Sequence, residues 1–173
     1  MSRGDIKIVD VGGRINVPVR RFRTSEGGTA ILPGEPLKWN IVANRINAYV
    51  IPLADGDPQI GVDYFVGIAA GAGTHTASAS GYVDVYLDLP GTVYSARATT
   101  ASTWDTQREV DLNTGYRISL DIISSAYTAN VADDLGTSAI DGLQIVGGNF
   151  SGYEVYFQSL DGASWRGAGL GAA

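Results

Sequence analysis

The chain has 173 residues, a length that predicts one domain, with room for an arm or tail, able to bury roughly 70% of its unfolded surface. It contains no cysteine and a single histidine, His75. That excludes disulfides, thiolate metal centres, cysteine nucleophiles and any site needing two imidazoles. Glycine supplies 23 residues, well above the typical ~7%, and charged residues only 17% against a typical ~25%, so short strands joined by tight turns are expected.

The net charge of −6 is unevenly spread. Residues 1–45 hold eight basic against four acidic side chains, a balance of +4; residues 46–173 hold four basic against 14 acidic, a balance of −10. An acidic body cannot follow a nucleic-acid backbone, where binding depends on neutralising phosphates, so no nucleic-acid partner is expected. The basic segment suits an acidic surface or serves as a solvated arm. Arginine outnumbers lysine 10 to 2, and arginine keeps bidentate carboxylate contacts at buried interfaces better than lysine, which favours a protein partner. No run approaches the ~18 apolar residues of a membrane helix, so no membrane partner is expected. With Met1 in place and charges at Arg3, Asp5, Lys7 and Asp10, no signal-peptide stretch is present, and synthesis in a cytoplasm is expected.

Residues 1–24 read as a basic arm. Within it Ile15, Val17 and Val19 alternate with Arg14, Asn16 and Arg20, a period-two pattern that fits either the domain's own first strand or a strand added to a partner's sheet. Ser25-Glu26-Gly27-Gly28 reads as a hinge into a body at 25–165. Strands are expected at 41–42, 48–53, 64–69, 82–89, 92–98, 116–123, 143–146 and 153–158, separated by glycine and proline turns. In the 82–89 run Val83, Val85, Leu87 and Leu89 share one face, as in a half-buried antiparallel strand. Pro90-Gly91 is expected to join that run to 92–94 as a hairpin. One short helix is expected from the capping box Thr106-Gln107-Arg108-Glu109 to about Asn113, closed by Gly115. Residues 166–173 are too rich in small side chains to pack and read as a loose tail.

Catalytic signals are weak. Arg3-Gly4-Asp5 spells an adhesion tripeptide, a match common by chance. Asp55-Gly56-Asp57 with Asp63 lacks the remaining ligands of a calcium loop and reads as a solvated turn. Asp133-Asp134 reads as an acidic loop. His75 lies in a polar loop with no orienting carboxylate or nucleophile elbow in view, and neither a phosphate loop nor a dinucleotide fingerprint is present. Glycosidase chemistry needs only two carboxylates, so the 18 acidic residues do not forbid it. The aromatics Trp39, Tyr49, Tyr64, Tyr82, Tyr86, Tyr94, Trp104 and Trp165 could stack on sugars but read as core and interface. No enzyme activity, cofactor or metal is expected.

Several segments in order resemble the capsid decoration (cement) proteins of tailed bacteriophages. They are Ile31-Leu32-Pro33-Gly34-Glu35-Pro36-Leu37-Lys38; Asp63-Tyr64-Phe65-Val66-Gly67-Ile68-Ala69 with the Thr/Ser/Ala-rich loop after it; Val83 through Tyr94; Gly115-Tyr116-Arg117-Ile118-Ser119-Leu120-Asp121; and Gly142-Leu143-Gln144-Ile145-Val146-Gly147-Gly148. The resemblance implies a small, mainly β protein. Together with the helix and arm read above, the expected fold is a compact barrel- or sandwich-like domain with one short helix and an extended N-terminal arm. Residues 1–24 carry none of the resemblance. The resemblance also implies a protein that binds the major capsid protein outside an assembled head and reinforces it without catalysis, as a homo-oligomer, a trimer ahead of a dimer. Arg14, Val17, Arg20, Arg21 and Arg23 are then the expected capsid contacts, with the acidic body facing outward on the virion. The alternative is a carbohydrate-binding β domain on a virion or secreted scaffold, with an exposed tryptophan such as Trp165 at its site. A hydrolase of the same fold ranks third.

Overall fold

The computed structural model of the chain describes residues 6–13, 16–40, 49–99, 117–131, 141–149 and 151–164. The described residues form eleven strands: β1 (Lys7–Val11), β2 (Val19–Thr24), β3 (Pro36–Asn40), β4 (Tyr49–Pro52), β5 (Phe65–Ala69), β6 (Gly81–Leu87), β7 (Thr92–Arg97), β8 (Arg117–Ile123), β9 (Ala126–Asn130), β10 (Leu143–Asn149) and β11 (Glu154–Ser159). Their one helical element is a 3-10 turn at Asp161–Ala163. The mainly β expectation therefore holds. The expected helix at 106–113, the strand at 41–42, Trp104, Asp133-Asp134, Trp165 and the 166–173 tail lie outside the described residues.

Two antiparallel sheets result, one of six strands in the order β1-β7-β11-β10-β8-β9 and one of five in the order β2-β6-β5-β3-β4. Neither closes into a barrel, which corrects the barrel half of the sequence expectation. The five-stranded sheet curls far enough that Phe22 on β2 meets Trp39 on β3 edge-on, with ring centroids 5.4 Å apart, although two strands lie between them. On its concave side Phe22, Leu37, Val50, Val66, Val83 and Val85 form one apolar cluster. The larger cluster takes side chains from both sheets. Phe65 of β5 packs edge-on against Tyr94 of β7, which stacks on Phe157 of β11, and Ile118, Leu120, Tyr127, Leu143, Ile145 and Val155 complete it. Burial of these side chains is the main source of stability, at roughly 1.5–3 kcal/mol for each fully buried large apolar group.

The segment expected as an arm contributes, in its described parts, one strand to each sheet: β1 pairs with β7, and β2 pairs with β6 from Val19↔Tyr86 to Thr24↔Gly81. The expected hinge is a turn in which the Gly27 N–H donates to the Thr76 carbonyl at 2.9 Å.

The expected hairpin at Pro90-Gly91 does not form, because β6 and β7 belong to different sheets. The turn is present, with the Thr92 N–H on the Leu89 carbonyl at 3.0 Å and Gly91 at φ +79°. The residue before it decides the path. Asp88 is fully buried and accepts hydroxyls from Tyr94, Ser159 and Ser164 (3.0, 2.6 and 2.8 Å), all groups beyond the turn. A hairpin would give no reason for Asp88 to meet Ser159 and Ser164, which lie more than 70 residues further along the chain, and loss of such bonds to a buried carboxylate is costly.

Strand β9 escaped the sequence reading. It is joined to β8 by Ser124 and Ser125 at φ 50° and 69°, the two positive values of a type I′ hairpin turn, which asparagine and glycine usually mark.

Candidate interaction surface

Strands alternate their side chains, so β2 and β6 present one face inward and one outward. Phe22, Val83 and Val85 point into the concave core. Three register pairs stand on the outer face: Val19↔Tyr86, Arg21↔Asp84 and Arg23↔Tyr82. Val19, Tyr82 and Tyr86 are 52%, 55% and 38% exposed and lie together on this face. At the centre the Arg21 guanidinium grips Asp84 bidentately, Nε to Oδ1 at 2.9 Å and the second nitrogen to Oδ2 at 3.1 Å.

Two grooves flank this face. One, of about 320 Å³, lies between Val19, Arg21, Tyr82 and the 70–74 loop. The other, about 380 Å³, runs from Tyr86 past Ile68 to Val17, Ile6, Ile8 and Pro33. Tyrosine and arginine side by side are the residue types enriched at interface hot spots, where large side chains bury much area for few frozen torsions.

The expected contact residues are thus separated by alternation. Arg21, Arg23 and Val17 border the outer face and its apolar groove. Arg20 lies on the opposite side of β2 with its guanidinium 5.7 Å from the Phe22 ring, a cation–π contact. Arg14 lies outside the described residues. Arg21 is also not a free positive charge, since Asp84 answers it. What the sequence reading missed is Tyr82 and Tyr86 on the same face; the alternation of β6 carried that signal, because the inward set Val83, Val85 and Leu87 leaves both tyrosines outward.

The hydrogen bond and charge of Arg21 hold the Asp84 carboxyl below the usual carboxylate range. The sign is that of a depressed acid: the stabilisation is present above the unfolded value of ~3.9 and fades as pH falls through the lower folded value. Both groups are exposed and screened by salt, so Arg21→Ala is expected to leave the melting temperature at neutral pH unchanged in a calorimetric scan.

Two polar clusters lie inside. The first surrounds Asp88, as above. In the second, Lys38 of β3 places its Nζ 2.7 Å from Asp57 Oδ2 and 2.7 Å from Asp63 Oδ1. Asp57 Oδ2 also accepts the Ala54 N–H at 2.6 Å, and Asp63 Oδ2 accepts the Gln59 N–H at 3.1 Å. Burial raises the Asp57 carboxyl above its ordinary value. Burial opposes ionisation of Asp63 too, but hydrogen bonds from Lys38 and Asp57 outweigh it and hold that carboxyl low. The same carboxylates outweigh burial at Lys38 and raise its pKa. The Asp55-Gly56-Asp57 stretch is therefore more than a solvated turn: Asp57 and Asp63 converge on a lysine. A lysine in a strand between Leu37 and Trp39 was the available signal, because a buried ammonium requires carboxylates.

His75 sits with its Nε2 3.3 Å from the Gly28 carbonyl. Among the described residues no group of three or more histidine, cysteine or acidic side chains is placed to hold a metal ion.

No family model matches the chain, and comparisons with curated proteins and with solved structures return no significant match.

Proposed function

We propose that this chain is a structural protein that decorates the outside of an assembled bacteriophage head, bound to the major capsid protein and stabilising the shell without catalysis. The observation behind this reading is the outer face of β2 and β6, where Tyr82, Tyr86 and Val19 stand exposed around the Arg21–Asp84 pair. It is supported by the ordered series of segments that resemble cement proteins, which run through β3, β5, β6, β8 and β10. The two sheets, meeting in one shared cluster, make a sandwich-like body, and copies of it act as a homo-oligomer, a trimer ahead of a dimer, on the virion exterior. Many modest contacts suffice for such a role, because multivalency converts weak single contacts into firm attachment and binding only the assembled state stabilises that state.

Removing residues 1–24 is a poor test, since β1 and β2 are part of the sheets. The direct test is co-sedimentation with undecorated mature shells and with unexpanded precursors. Binding to mature shells with a rise in shell melting temperature is expected, and loss of binding to both forms overturns the reading. A Tyr82→Ser/Tyr86→Ser variant, checked for an unchanged fold by circular dichroism, is expected to bind at least about tenfold more weakly.

One observation favours the carbohydrate reading: the groove beside Tyr82 combines an aromatic face with Arg21, Asp84 and Thr74, the pairing of stacking and hydrogen-bonding groups that a sugar ring uses. Saturable glycan binding lost in Tyr82→Ser, with no affinity for shells, would select it.

A further inference from the structure

The Lys38–Asp57–Asp63 cluster is arranged for more than an ion pair. Its amine touches oxygens of two carboxyl groups at once, each at 2.7 Å, within a site where all three side chains are no more than 18% exposed. The surroundings are rigid. Lys38 pairs in register with Ile51 and Phe65, the Asp57 carbonyl accepts the Leu120 N–H at 2.8 Å, and the Ala54 N–H is aimed at Asp57 Oδ2. We infer that Lys38 and Asp57 condense after folding into an intramolecular isopeptide bond, with Asp63 as the proton carrier.

Each group has a role that its position permits. Asp57 is the electrophile: burial favours its neutral acid, the form that an amine can attack, and that acid hydrogen-bonds Asp63. Asp63, with Oδ1 2.7 Å from the Lys38 Nζ, is the base placed to take its proton and free the amine, against the pull of the two carboxylates that raise the pKa of Lys38. Nζ then attacks Cγ of Asp57, and the electron pair moves onto Oδ2, where the Ala54 N–H stabilises the developing charge. Nζ releases a second proton to the Oδ1 hydroxyl by way of Asp63, the Cγ–Oδ1 bond breaks, and water departs. The amide keeps one hydrogen on Nζ, water carries two, and Asp63 is left protonated to discharge to solvent. No oxidant or activating co-reactant is consumed. Fixed proximity replaces the activation that this condensation needs in water, and partial exclusion of solvent opposes the reverse hydrolysis.

The product ties β3 covalently to the segment between β4 and β5, within the curled sheet, so that this sheet cannot open by sliding β3 away. This inference does not depend on the decoration reading, since it concerns the folded chain alone.

The test is the intact mass of the full chain under denaturing conditions, measured on fresh protein and after prolonged incubation of the folded protein. A mass lower by one water is expected. Trypsin should then fail to cut after Lys38 and should release residues 24–45 and 46–97 as one branched peptide. Asp63→Asn and Lys38→Arg are expected to show the full mass of their sequences. Full mass in the wild-type chain overturns the inference. So does a lost water accompanied by normal cleavage after Lys38, which would place the dehydration in an Asp-Gly succinimide instead.

Discussion

Gly67→Ala is expected to destabilise the protein by about 4 kcal/mol, seen as a melting temperature lower by about 10 °C, or to prevent folding. Gly67 sits in the centre of β5 at φ +141°, a backbone region that side chains rarely adopt. A methyl group there would lie inside contact distance of the Tyr86 carbonyl oxygen and 3.0 Å from the Asp88 nitrogen. Both are backbone atoms of β6 and its continuation, so no side-chain rotation relieves the clash. The cause is a register shift: Leu37 faces Gly67, but Lys38 faces Phe65, leaving Val66 as an extra residue between them. As a control, alanine at Gly71, where an added methyl meets nothing within 4 Å, is expected to change stability by no more than about 0.5 kcal/mol.

Asp88→Ala is the second large effect, expected at about 3–5 kcal/mol by chemical denaturation. The carboxylate is fully buried and receives Tyr94, Ser159 and Ser164. Tyr94 comes from β7, Ser159 ends β11 and Ser164 follows the 3-10 turn, whereas Asp88 itself ends the β6 side. Its removal takes away an acceptor shared by three hydroxyl donors at the seam between the sheets and leaves a cavity. Ser164→Ala removes only one donor and is expected to cost about 1–2 kcal/mol. Comparable losses for the two variants would show that the three hydroxyls do not act through Asp88 as a unit.

Local pattern and tertiary context can be separated residue by residue. The alternation of Val83, Val85 and Leu87 against Tyr82, Asp84 and Tyr86 was legible as a half-buried strand, because a period of two is a property of the extended chain itself. The turn at Pro90-Gly91 was legible too, but not its consequence. Proline and glycine specify that the chain bends; whether the next strand pairs with the last one or crosses to another sheet depends on where the buried Asp88 finds its donors. The candidate contacts show the same division. A cluster of arginines at 20, 21 and 23 was visible, but its splitting across two faces, the neutralisation of Arg21 by a residue 63 positions away and the alignment with Tyr82 and Tyr86 all arise from the β2–β6 register.

What the sequence alone determined was the mainly β class, most strand positions, the turn sites and the opposed charges of the two parts of the chain. These follow from composition, period-two patterning and the backbone preferences of glycine and proline, all local quantities. The tertiary structure alone decided that β1 and β2 join different sheets, that Lys38 meets Asp57 and Asp63, and that the five-stranded sheet curls over its own core. Those outcomes turn on pairing between distant segments and on the requirement that every buried charge find a partner, and neither is written in any short stretch of residues.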